Sequence, residues 1–87
     1  MASPVLVVAP HAFKHGLTET QIIQAWNNAL YKQERLSQDD YLDYVAIGFD
    51  SNGVAIELVA AKKEYGLYIY HANTPPTKNV LQELGLI

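Results

Sequence analysis

An α+β domain is what this sequence predicts: an antiparallel four-stranded sheet with two N-terminal helices packed on one face and a C-terminal helix, in the order β-α-α-β-β-β-α. Three observations predict it. A short β-prone apolar run opens the chain and leads into a capped amphipathic segment. Three further β-type runs are separated only by tight-turn signals, and strands joined so closely must be antiparallel. A double proline then stops the last run and a cap starts a final helix.

The elements follow in order. Pro4 to Ala9 reads as a strand, because Val5, Leu6, Val7 and Val8 are β-prone and unbroken, a run that predicts burial on both faces. Pro10 to His15 reads as about one helical turn, with proline at its first position and Gly16 as the left-handed residue past its end. Thr18 with Gln21 forms a capping-box pattern, and Glu19 complements the helix dipole. Ile22, Trp26, Ala29 and Leu30 fall on one stripe at helical spacing, so the helix is expected to fade only around Lys32 to Arg35. Leu36 to Asp40 is polar and acidic and reads as a loop.

Tyr41 to Phe49 reads as a strand with Val45, Ile47 and Phe49 on one face and Tyr44, Ala46 and Gly48 on the other. Asp50-Ser51-Asn52-Gly53 predicts a hairpin turn, since Asn-Gly tolerates positive φ. Val54 to Lys62 is the next strand, with Val54, Ile56 and Leu58 inward and Glu57 outward; Lys62-Lys63 reads as a solvated strand end. After a turn at 63–66, Leu67 to Ala72 is the last strand. Thr77 caps a closing helix, Lys78 to Leu84, ended by Gly85, with Val80, Leu81 and Leu84 as its apolar stripe. Helices on one face would leave the other to Tyr44, Glu57, Tyr68 and Tyr70, a tyrosine-rich surface suited to binding.

Composition narrows the function classes. Residues 1–87 read as a single domain whose thin core makes a homodimer or another protein partner a reasonable expectation. The net charge of −3 argues against a general nucleic-acid binder. Glu34 to Asp50 holds five acids against one base, a balance of −4, so the remainder is +1 and a local basic site can survive. Without cysteine there is no disulfide, thiolate metal site or thiol nucleophile. No stretch approaches a membrane span or reads as a secretory signal, so no membrane association is expected and the cytoplasm is the default location.

The residues that carry chemistry are the histidines. The chain has three, and they sit at two places: His11 and His15 beside Lys14, and His71 at the end of an apolar run. Imidazole can take and give a proton near neutral pH. A metal-free ribonuclease needs a base for the ribose 2′-hydroxyl, an acid for the leaving 5′-oxygen and a cation for the phosphoryl oxygens. His15 and His71 suit the proton-transfer roles, with Lys14 beside them. Lys78 and Arg35 are further phosphate-binding candidates, Asn73 can read a base edge, and His11 can assist binding. The spacing of His11 and His15, with His71 as a third ligand, is also a metal pattern, but the usual helical motif carries Glu next to its first histidine and here that residue is Ala12. Neither a metal nor any other cofactor is expected. Each candidate also has a plain structural reading. His15 complements a helix end, His71 is a satisfied interior histidine, and Asn73 forms the turn into Pro75.

His-Ala-x-Lys-His-Gly-Leu-Thr at His11 to Thr18, the Asp-x-x-Gly hairpin at Asp50 to Gly53, Ile56-Glu57-Leu58-Val59 and Ile69-Tyr70-His71-Ala72-Asn73 together form a familiar pattern. With it the chain resembles the small bacterial toxins of type II toxin–antitoxin systems with the RelE/ParE-like fold, and among them the BrnT-like group. The resemblance spans nearly the whole chain. It implies a ribonuclease toxin acting on RNA and silenced by a cognate antitoxin, with the family's Lys-His-Gly motif falling on Lys14, His15 and Gly16. The chain departs from that group in lacking basic residues on its central strands. This keeps open the alternative of a non-catalytic protein–protein interaction module pairing through its sheet face or edge.

Overall fold

The computed structural model describes residues 5–36 and 42–87. The expected loop at 37–40, and Pro4 and Tyr41 at the ends of two expected strands, lie outside them. Among the described residues the chain forms β1 (Val5–Val8), a 3-10 turn (Pro10–Phe13), α1 (Glu19–Asn27), β2 (Tyr31–Leu36), β3 (Leu42–Phe49), β4 (Ala55–Lys63), β5 (Gly66–Asn73) and α2 (Lys78–Glu83). The strands make one five-stranded mixed sheet, in the order β1-β5-β4-β3-β2.

The locally encoded features are where the sequence puts them. Thr18 Oγ1 accepts from the Gln21 N–H at 3.2 Å, and Gln21 Oε1 accepts from the Thr18 N–H at 2.9 Å, closing the capping box. Gly16 and Gly53 adopt φ of 83° and 77°. In the hairpin, Asp50 Oδ1 accepts from the Asn52 and Val54 N–H groups, and its Oδ2 accepts from Gln21 Nε2 at 3.1 Å. The turn is thereby tied to the first turn of α1. Val54's N–H, then the Gln21 side chain, hold the Asp50 carboxyl below its ordinary value. Thr18→Ala removes one half of the box. It is expected to lower stability by about 1 kcal/mol, read as a melting-temperature drop of roughly 4–8 °C for a domain of this size.

Four expectations are corrected. First, the sheet is neither four-stranded nor wholly antiparallel. α1 stops at Asn27, and residues 31–36 form a fifth strand paired antiparallel with β3, Tyr31 opposite Ile47 and Arg35 opposite Asp43. Asn28 ends the helix by donating its side-chain amide to the Gln24 carbonyl at 2.9 Å, and Leu30, assigned to the core stripe, is 71% exposed. The charged composition that reads as a fading helix is also that of an edge strand, which natural sheets keep polar.

Second, β1 pairs parallel with β5, Val5 opposite Gly66 and Val8 opposite Ile69. It is a sheet edge, so only Leu6 and Val8 pack against the core, while Val5 is 55% exposed. Third, the segment after β1 is a single 3-10 turn, ending at Phe13, so only two α-helices are present among the described residues.

Fourth, the helices do not share a face. α1 packs on one side, where Ile22, Ala25 and Trp26 meet Ala46, Ile56, Leu58 and Ile69. The α2 segment covers the other, where Val80, Leu81 and Leu84 meet Val45, Ile47 and Val59. Both faces of the central strands are therefore buried, and no open tyrosine face remains there. Tyr44 packs against the α1 core, and Tyr70 against the α2 cluster. Glu57, expected to point to solvent, is 2% exposed.

Candidate functional site

The second face carries a hollow of about 320 Å³, lined by His11, Arg35, Glu57, Val59, Tyr70, His71 and Val80. Strand alternation puts Glu57 and Val59 of β4 on this side with His71 of β5, which lies opposite Val59 in the ladder. A bulge follows. Val59 pairs with His71 but Ala60 pairs with Ile69, so Tyr70 is an extra residue in β5. Bulges re-aim side chains, and this one lets Tyr70 and His71 both line the α2 side.

Glu57 and His71 form the centre. Glu57 Oε2 lies 2.6 Å from His71 Nε2. Its Oε1 accepts the Thr77 N–H, also at 2.6 Å, from the residue capping α2. The buried carboxylate is thus held at both oxygens, and the bond orients the His71 ring. With an ionised carboxylate as acceptor, a neutral His71 carries its proton on Nε2 and leaves the Nδ1 lone pair available. His15 approaches the same ring from the loop after the 3-10 turn, edge to face, with centroids 6.0 Å apart at 76°.

A second polar row flanks this pair. The Tyr70 hydroxyl donates to Asp43 Oδ2, and the Arg35 guanidinium forks onto Glu83, with Nε 2.7 Å from Oε2 and a second nitrogen on Oε1. The hydrogen bond to Glu83 holds Arg35 above its ordinary value, and the same bond holds Glu83 below its own. Burial first, and the bond to Asp43 second, push the Tyr70 phenol up to about 12. Folding therefore favours the neutral phenol. This stabilisation is complete below about pH 10, the ordinary tyrosine value, and is lost as pH rises through about 12. Urea unfolding at about pH 9 and about pH 11 is expected to show a fall in midpoint that Tyr70→Phe reduces.

Of the sequence-selected residues, His15 and His71 are brought together, and His11 and Arg35 line the same hollow. Arg35 arrives already paired with Glu83. Lys14 is exposed beside His15 and its backbone N–H donates to the His11 carbonyl. Lys78 is exposed at the start of α2 and lines no part of the hollow. Asn73 serves the turn, its amide donating to the Pro75 carbonyl at 3.4 Å. Sequence reasoning missed Glu57, Asp43, Tyr70 and Glu83 as members of the site. The available signal was the apolar set Val45, Ile47 and Val59, which needed a cover as much as Val80, Leu81 and Leu84 needed a surface. Among the described residues no group of three or more His, Cys, Asp or Glu is placed to hold a metal ion, and no helix is long and apolar enough to cross a membrane. No protein-family model, curated protein or solved structure matches the chain.

Proposed function

We propose that the chain is a metal-independent ribonuclease of the toxin type, working in the cytoplasm, held in check by a cognate antitoxin and using the histidine hollow as its acid–base centre. The observation that carries this reading is the edge-to-face approach of His15 and His71 at 6.0 Å, with Glu57 behind His71. Two imidazoles far apart in the sequence meet edge to face, and a base and an acid acting on one phosphodiester must lie close together. His71 Nδ1 takes the proton of the ribose 2′-hydroxyl, the 2′-oxygen attacks phosphorus, and the 5′-oxygen leaves with a proton from His15. The products are a 2′,3′-cyclic phosphate and a 5′-hydroxyl. Arg35 faces the phosphoryl oxygens, sharing its charge with Glu83, and Lys14 stands outside the mouth.

Purified protein incubated with RNA in the presence of a chelator should yield 2′,3′-cyclic phosphate ends, and induction in bacteria should arrest growth. Absence of cleavage above that of a His15→Ala, His71→Ala double variant would remove the proposal. A second reading, a non-catalytic pairing module, is favoured by one pair of facts: the lining cation is already neutralised by Glu83, and β1 exposes Val5 and Val7 along an edge. It predicts a stable homodimer or heterocomplex that charge substitution at Val5 and Val7 dissociates, with growth arrest indifferent to His71.

A further inference from the structure

The opposite face, under α1, carries a larger groove of about 540 Å³ that the histidine chemistry does not use. That size is within the range of about 300–1,000 Å³ common to small-molecule sites. Its wall is aromatic. Trp26 and Tyr44 meet edge to face with centroids 6.5 Å apart, Leu67 adds apolar surface, and Tyr65, on the turn between β4 and β5, stands 48% exposed at the rim. Its charge is basic. Lys32 lies with Nζ 4.2 Å from the Trp26 ring centroid, and Lys62 and Lys63 line the same groove against a single acid, Glu64. Half of the six basic residues of an acidic chain therefore converge on one aromatic depression. Trp26 and Tyr44 belong to the core, but the rim of the groove does not. Lys32 and Lys62 are exposed ends of β2 and β4, and Tyr65 belongs to a turn.

We propose that this groove binds a nucleoside phosphate unit, its base stacked on Tyr65 and its phosphate held by Lys32 and Lys62. A stacking ring beside ammonium groups is what single-stranded nucleic-acid sites combine, and the apolar wall gives an inorganic anion nothing to gain. The unit can come from a free nucleotide or from a single-stranded RNA. The proposal stands apart from the ribonuclease reading, because the groove and the hollow lie on opposite sides of the sheet.

Trp26 is the only tryptophan in the chain and lines the groove, so its fluorescence reports occupancy directly. Titration with adenosine 5′-monophosphate is expected to change that signal saturably. Tyr65→Ala and Lys62→Glu, both at exposed positions, should each weaken binding about tenfold, the size of one stacking or charge contact. Added salt should weaken it further, and a His15→Ala, His71→Asn variant should bind as the parent does. An RNA hexamer binding much more tightly than the mononucleotide identifies a strand as the source, and equal binding identifies the free nucleotide; both support the site. The proposal is overturned by an unsaturable signal, or by affinity unchanged in both groove variants when their circular dichroism matches the parent. It is equally overturned if inorganic phosphate or an oligoglutamate competes as well as the nucleotide.

Discussion

Gly48→Ala is expected to cost about 3–5 kcal/mol, a large share of the roughly 4–13 kcal/mol available at 0.05–0.15 per residue. The reason is the seat of α1 on β3. A Cβ at Gly48 would lie 1.7 Å from the Ala25 carbonyl oxygen and 2.6 Å from its carbonyl carbon. Those are backbone atoms in the last turn of α1, so no side chain can turn aside. α1 would have to lift from the sheet, and Ile22, Ala25 and Trp26 would lose their contacts with Ala46, Ile56 and Leu58. Gly53→Ala makes the control. It has positive φ but open space around it, so its cost is limited to the backbone term of about 1–2 kcal/mol. Denaturant midpoints of the two variants should differ accordingly, and a Gly48→Ala midpoint equal to the parent's would show that α1 does not sit against β3.

The second large effect is on the proposed ribonuclease activity. His71→Ala and His71→Gln are both expected to lower the proposed RNA cleavage by about 10²–10⁴-fold, the usual contribution of a positioned general base. His71→Gln puts an amide donor where Nε2 meets Glu57, whereas His71→Ala leaves one oxygen of a buried carboxylate without a protein partner, so only the alanine variant should also lose stability, by about 1–3 kcal/mol. Glu57→Gln tests the positioning role. The carboxylate accepts from both the His71 ring and the Thr77 N–H. A side-chain amide has one oxygen for these two donors, so either α2 loses an anchor or the ring must accept from the amide N–H and carry its proton on Nδ1, where it no longer serves as the base. Added imidazole should restore part of the rate to His71→Ala but none to Glu57→Gln, since only the first lacks the base itself. Full cleavage by His71→Gln would exclude His71 from proton transfer and turn attention to pairing through the β1 edge.

The histidine cluster was legible only in part. His15 and His71 stand out as imidazoles near turns, and the structure brings their rings edge to face. Glu57 was hidden by alternation. Between Ile56 and Leu58 it reads as the outward position of a half-buried strand, and it faces outward only if the far side is open. The α2 segment closes that side. Alternation sets Tyr70 and His71 on opposite faces, and the bulge, one extra residue in β5, brings both to the same side. Lys78 was chosen for its charge alone, and charge does not say which way an exposed helix start points.

What the sequence by itself determined are the features closed within a few residues: the Thr18 box, the Asp50–Gly53 turn, the Thr77 cap and the three central strands. Each depends on hydrogen bonds or steric limits between near neighbours, which travel with the residues themselves. Only the tertiary structure decided that residues 31–36 pair as an edge strand, that β1 lies parallel to β5, and that the helices divide between two faces. Those outcomes depend on which distant surface is left to cover. The same polar hexapeptide or apolar stripe serves equally well as helix, edge or lid until its partner is in place.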